Sequence, residues 1–294
     1  MDQQEKREAL FENLETQSTP KTRDIVTRAP FNYPGGKSRS VNKILARLPE
    51  RTVYVEPFGG SGVILLNRLP SKLDVFNDIF SGVVCFYRCI RDVVKLERLI
   101  ELMEHTIHSR EEWVWCKETW QDESEEVERA FKWYYMVSYS FGGLSRNFGR
   151  STSGAGCLGG KFRNRIKGLY KIHERFKRVQ VENQDWERCI SDYDSPETVF
   201  YLDPPYVDAD TGVYKHILGH NDHRHLLDVI FSLQGFVAIS GYSNPLYDER
   251  DWDEEYGWDS FISIQSISEH GNKSDEHNKR GHAKEKLWIK TNGN

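Results

Sequence analysis

From position 30 onward the chain alternates short apolar runs with longer stretches in which apolar residues recur every three or four positions, the pattern of strands separated by helices. Ser38 to Leu48 predicts a helix, and Thr52-Val53-Tyr54-Val55 a strand that runs straight into Glu56-Pro57-Phe58-Gly59-Gly60-Ser61-Gly62. A helix from Val63 to Arg68 follows, then a strand Leu73-Asp74-Val75-Phe76 ending at Asn77-Asp78, then a helix from about Gly82 to Arg91. The β-α-β order implies a parallel sheet. Residues 92–180 have helical periodicity, carry the aromatics Trp113, Trp115, Trp120, Trp133, Tyr134 and Tyr135, and contain no long strand run. Strand signals return at Val179 to Val181, Thr198 to Leu202, Phe236 to Ser240, Phe261 to Ile264 and Glu285 to Lys290, with a helix His223 to Phe231 among them. The expected organisation is a polar arm over 1–29, an α/β domain over 30–91 and 181–294, and a mainly helical insertion over 92–180.

Charge sharpens this picture. The 294 residues carry a formal net charge of -5, which argues against a generally basic coat. Residues 141–180 nevertheless hold ten basic side chains against one acid, Glu174. The first half of that segment is rich in Gly and Ser and predicts a loop or hairpin. The second half, Lys161 to Val179, spaces Phe162, Ile166, Leu169, Ile172 and Phe176 as on one helix. A basic hairpin leading into a basic helix suits a polyanion, the alternative being a solvated helix face. Acidic runs from Glu111 to Glu128 and from Asp248 to Asp259 would confine DNA to one face. No window approaches 18 apolar residues and no signal peptide is evident, so a cytoplasmic location is expected. The five cysteines are odd in number and widely spaced, which predicts reduced, mostly buried thiols.

The glycine turn after the first strand places small residues where backbone must approach a ligand, with a helix N-terminus behind it. Asp78, at the end of the next strand, can accept two hydrogen bonds from a ribose diol, its alternative role being a helix cap. Together they suggest an adenosine-containing cofactor, although the turn is not the dinucleotide pattern G-x-G-x-x-G. Gly35-Gly36-Lys37-Ser38 is no triphosphate loop, because Phe31 stands where that motif needs glycine. It remains a lysine-bearing turn beside Tyr33, suited to a cofactor carboxylate. The most informative run is Asp203-Pro204-Pro205-Tyr206, directly after an apolar strand. Two prolines stop the strand and stiffen the turn, so a planar amine could donate to the Asp203 carboxylate and the Pro204 carbonyl while its ring stacks on Tyr206.

These motifs, taken in order with Phe31-Asn32-Tyr33-Pro34-Gly35-Gly36-Lys37 and Gln184-Asp185-Trp186, resemble the Dam-type family of DNA adenine-N6 methyltransferases. The resemblance covers roughly residues 30–90 and 180–290. It implies a Rossmann-like methyltransferase fold with a mostly parallel sheet, S-adenosylmethionine as cofactor and double-stranded DNA as partner. It implies a cofactor site built from Tyr33, Lys37, Glu56, Phe58, Gly59, Gly62, Asp78, Asp185, Trp186 and Asp203, with Asp203, Pro204 and Tyr206 as the catalytic corner. Phe141 to Asn147 resembles the start of the family's DNA-reading hairpin, after which agreement fades, so a recognition sequence does not carry over.

Adenine N6 is a poor nucleophile, so such a corner must align it and favour a tetrahedral nitrogen, which requires the base to be flipped out of the duplex. Arg146, Asn147, Arg150, Lys161, Arg163 and Arg165 are the expected DNA contacts. The histidines His216, His220, His223 and His225 read as a loop entering a helix; no metal is expected, since methyl transfer from a sulfonium needs no Lewis acid. The rivals are a methyltransferase acting on cytosine N4 or another amino group, and a catalytically silent DNA-binding module on the same fold. Asp rather than Asn before the two prolines, together with the basic insertion, favours adenine in DNA.

Overall fold

Five of the apolar runs lie side by side and parallel. The computed structural model describes residues 27–150, 157–207, 218–261 and 282–291; most of the polar arm falls outside the described residues. The strands are β1 (Val53–Glu56), β2 (Leu73–Asn77), β3 (Val179–Glu182), β4 (Thr198–Leu202), β5 (Phe236–Tyr242), β6 (Glu254–Phe261) and β7 (His282–Lys290). They form one sheet in the order β3-β2-β1-β4-β5-β7-β6. β1 to β5 pair in parallel, while β7 runs antiparallel to both β5 and β6. β4 is buried along its whole length, as a central strand covered on both faces must be.

The helices are α1 (Val41–Leu45), α2 (Val63–Asn67), α3 (Ser81–Arg91), α4 (Val93–Glu104), α5 (Arg110–Thr119), α6 (Glu126–Ser138), α7 (Leu158–Ile166), α8 (Leu169–Phe176), α9 (Trp186–Tyr193), α10 (His220–Ser232) and the short α11 (Pro245–Asp248). α3 packs against α4, α6 and α8. One cluster of buried side chains runs from Phe31 and Val41 through Phe86, Trp133 and Phe176 to Leu287, so segment 92–180 shares its core with one face of the sheet. A second cluster, with Val55, Phe200, Leu226 and Trp288, fills the other face. Among the described residues no helix is long and apolar enough to cross a membrane.

The structure departs from the expected elements in three places. The single basic helix is two, because Gly168, a weak helix former, interrupts it at the head of α8. The break lets α7 rest on α4 while α8 packs on α3. The strand expected over Phe261 to Ile264 falls, apart from Phe261, outside the described residues; an unexpected strand, β6, ends at Phe261 and occupies part of the run read as acidic surface. An edge strand accommodates that composition: Tyr256 and Trp258 are half-buried, while Glu255 and Asp259 are exposed. The expected hairpin is, among the described residues, a 3-10 turn at Phe141–Gly143 closed by one antiparallel bridge between Ser140 and Phe148. Cys85, Cys89, Cys116 and Cys189 are buried free thiols and Cys157 is an exposed one.

Candidate active site

The strand order reverses between β1 and β4, so the loops leaving their carboxyl ends diverge and open a crevice, the usual place for a ligand in such sheets. A cavity of about 530 Å³ fills it, a size suited to a small ligand. Tyr33, Lys37, Glu56, Phe58, Gly59, Asp78, Asp185, Trp186, Asp203 and Pro204 all line it. The glycine turn and the proline-stiffened corner therefore share one chamber. Gly62 and Tyr206 are not among the lining residues.

Backbone conformation and hydrogen bonds hold the glycine turn. Gly59 N–H donates to the Asn77 carbonyl (2.7 Å), and Asn77 Nδ2 donates to the carbonyls of Pro57 (2.9 Å) and Gln184 (3.0 Å). These bonds join the ends of β1, β2 and β3. Gly62 has φ +62° at the head of α2, where a Cβ would meet the Tyr87 hydroxyl at 3.0 Å; its role is to make the turn. Asp78 accepts from Gly60 N–H through Oδ2 and from Phe80 N–H through Oδ1, each at 2.8 Å. These bonds brace the glycine turn and the entry to α3, whose N-cap is Phe80, so Asp78 is not the helix cap that the sequence offered as an alternative; its carboxylate borders the cavity. Across the chamber, Asp185 caps α9 through Glu187 N–H (2.9 Å), and Trp186 stacks on Phe58 at 6.2 Å and 27°. Two flat rings near a capping carboxylate suit a purine.

The corner after β4 is built around Lys37, whose side chain is 3% exposed. Its ammonium donates to Asp203 Oδ1 (2.5 Å), Tyr206 Oη (2.7 Å) and the Gly35 carbonyl (2.9 Å). Asp203 Oδ1 also accepts from Ser240 Oγ (3.1 Å), itself paired with Tyr201 Oη (2.9 Å). Burial pushes the Asp203 carboxyl above the usual range, with the Lys37 ammonium opposing. Burial pulls Lys37 down, but the carboxylates of Asp203 and Glu285 outweigh it and hold the amine protonated. Glu56 is pushed up to about 8 by burial, against the hydrogen bond it accepts from Tyr54 Oη (2.7 Å). Lys37, expected at a cofactor carboxylate, lines the cavity and binds the Asp203 carboxylate. Tyr206 is tethered by its hydroxyl and leans on Tyr242, ring centroids 4.5 Å apart.

Most of the expected DNA contacts are solvent-exposed. Arg146, Asn147, Arg150, Lys161 and Arg163 are exposed, whereas Arg165 is half-buried and donates to Asn32 Oδ1 (2.7 Å). Gly143, Leu144 and Ser145, from the segment read as the start of a DNA-reading hairpin, form part of the cavity wall. Arg175, counted in the same basic tract, is an internal residue paired with Asp74 Oδ2 at 2.8 Å. Among the described residues the histidines of this stretch do not converge. His216 lies outside the described residues, His220 opens α10, His223 Nδ1 bonds Tyr247 Oη (2.7 Å), and His225 pairs with Glu187 (3.0 Å).

Sequence reasoning missed Tyr201, Ser240 and Glu285. Tyr201 and Ser240 are polar side chains inside otherwise apolar strands, and that is the signal that could have found them, since a buried polar group needs a partner; Glu285, in the mixed strand β7, carries no such signal.

The family model for "D12 class N6 adenine-specific DNA methyltransferase" matches residues 33–269. The type II methyltransferase M1.LlaDCHI of Lactococcus lactis subsp. cremoris is 29% identical over 247 residues, covering 75% of this chain and 83% of its own. The DNA adenine methylase of Salmonella typhi is 25% identical over 247 residues, covering 76% and 84%. The type II methyltransferase M.FokI of Planomicrobium okeanokoites is 25% identical over 302 residues, covering 88% of this chain but 42% of its own.

Proposed function

The chain belongs to the D12 class of N6 adenine-specific DNA methyltransferases, and on that premise we propose that Asp203, the Pro204 carbonyl and Tyr206 form its catalytic corner, acting on an adenine flipped out of the duplex. The observation that carries this reading is the single cavity joining Asp203 to the glycine turn. S-adenosylmethionine, when bound there, supplies a methyl group activated on a sulfonium centre. Asp78 holds its ribose hydroxyls, Asp185 and Trp186 its adenine, and Tyr33 with Phe58, Gly59 and Glu56 the remaining walls.

Asp203 works through the oxygen its neighbours leave. Lys37 and Ser240 both donate to Oδ1, so Oδ2 accepts one hydrogen of the target amine and the Pro204 carbonyl the other. Two acceptors on the amine hydrogens draw the nitrogen lone pair out of the ring, towards the methyl donor. The nitrogen product carries one proton more than it can keep, and Asp203, with its raised affinity for protons, is the base placed to take it. Tyr206 fixes the plane of the base.

Flipping costs a few kcal/mol. Phosphate contacts from Lys161, Arg163 and Arg165, and contacts from Arg146, Asn147 and Arg150, offset it. On this reading the enzyme works where its DNA substrate lies, in the cytoplasm of a bacterial or phage-infected cell, and no obligate protein partner is implied. Transfer of labelled methyl groups to DNA from a methylation-free host tests the reading. Wild type labels adenine N6, and Asp203→Ala loses the label; equal labelling by both would remove Asp203 from the chemistry.

A further inference from the structure

Glu285 lies on β7 opposite Tyr242 of β5, near the end of the sheet that carries the cavity. It is 4% exposed, and its carboxylate is oriented by two other elements. Oε2 accepts from Ser40 Oγ (2.9 Å) and from Trp258 Nε1 (2.8 Å). Ser40 stands at the N-cap of α1 yet makes no capping bond; its hydroxyl goes to Glu285 instead. Oε1 stands 3.6 Å from Lys37 Nζ, beyond hydrogen-bond range but well inside the range of an ion pair. A buried carboxylate that forms no close bond to its cation is a poor stabilising device, since desolvation opposes its burial.

Resting on the assignment of Asp203 as acceptor of the target amine, we propose that Glu285 is a positioning residue for methyl transfer, sharing the charge of Lys37 so that Asp203 stays basic enough to hold and deprotonate the amine. Lys37 alone, 2.5 Å from Asp203, would orient the carboxylate and also weaken it as an acceptor. A second carboxylate behind the ammonium keeps the orientation and restores the basicity. Glu285 accordingly acts to raise the proton affinity of Asp203. The other ionisable groups facing the pair are Tyr206, whose hydroxyl accepts from Lys37 at 2.7 Å, Tyr201, Tyr242 and Glu56. Burial raises the phenols of Tyr201 and Tyr242, which stay neutral, and pushes Glu56 up to about 8, with the Asp203 charge adding to that rise.

The test follows the titration of Asp203 in the free protein by carboxyl carbon NMR with labelled aspartate, the Asp203 signal being identified by its loss in Asp203→Asn. Labelled aspartate leaves Glu56 silent. Glu285→Gln is expected to move the Asp203 titration down by about half a unit to one unit. The acidic limb of kcat for methylation should follow it, and kcat should fall several-fold with KM for DNA unchanged. Glu285→Asp keeps the charge but withdraws it, and should fall between wild type and Glu285→Gln; it also serves if the glutamine variant does not fold. A merely structural Glu285 would release Lys37 on substitution and move the titration upward. An upward or absent shift in the variants overturns the proposal. Full activity of Asp203→Asn would instead overturn the underlying assignment, and the proposal with it.

Discussion

A Cβ on Gly59 would stand 2.3 Å from the ring of Phe76, closer than non-bonded carbons approach. Phe76 cannot retreat, because it is fully buried between Tyr87 (4.7 Å) and Phe176 (5.5 Å). Gly59→Ala therefore pushes the turn into the cavity or the ring into its neighbours. We expect a loss of about 1–3 kcal/mol in stability. Cofactor affinity should fall as well, since the same turn borders the chamber. Thermal denaturation and calorimetric titration with S-adenosylmethionine check both effects.

Lys37→Met removes the cation from Asp203 and leaves the carboxylate buried without it. The proton affinity of Asp203, already raised by burial, rises further once the opposing ammonium is gone. Activity at neutral pH should drop by roughly 100-fold or more. Part of it should return at higher pH, where Asp203 ionises again. Lys37→Arg should restore little, because the ammonium sits among three acceptors at 2.5 to 2.9 Å, a geometry that a planar guanidinium does not reproduce. A pH–rate profile of both variants is the measurement.

Glu56 links pH to stability with a definite sign. Its carboxyl is raised in the fold to about 8 from an ordinary 4.5, so the folded state holds a proton that the unfolded chain releases. Stability is therefore unaffected below about 4.5, declines as pH rises towards 8, and levels off above it. At about 1.4 kcal/mol per unit the decline is a few kcal/mol. Glu56→Gln should be more stable than wild type at pH 9 and equal to it near pH 4.5, as denaturant titrations at the two pH values would show. A cationic cofactor favours the ionised carboxylate, so wild-type affinity for S-adenosylmethionine should rise between pH 6 and 8, and the glutamine variant should lack that rise.

The parts of this site that were readable in the sequence are the local ones. A strand, a glycine turn and a following helix are neighbours in the chain, as are Asp203 and its two prolines, so period and turn chemistry suffice to find them. The support behind Asp203 was not readable, because it is assembled across the sheet. Lys37 and Asp203 are 166 residues apart, and Ser40 and Glu285 are 245 apart. Arg175 looked like one more surface cation because composition does not register burial. The strand β6 was not foreseen because edge position, a tertiary property, decides whether an acidic stretch can pair.

Arg175 and its neighbours allow electrostatics for DNA to be separated from electrostatics for folding. Lys161 and Arg163 are exposed on α7, and each contact with a phosphate releases close to one counterion. The double variant Lys161→Ala/Arg163→Ala should therefore reduce the slope of log affinity against log salt by about 2, with its melting temperature and cofactor affinity unchanged. Arg175→Ala should do the reverse. Its guanidinium is 2.8 Å from Asp74, whose side chain is 2% exposed, so the substitution strands a buried carboxylate. Stability should fall by about 3–5 kcal/mol, while the salt slope of the protein that remains folded is unaltered. Fluorescence anisotropy with a duplex oligonucleotide over a salt series, alongside thermal melts, distinguishes the two. If the double variant kept the full slope, α7 would not be part of the DNA face.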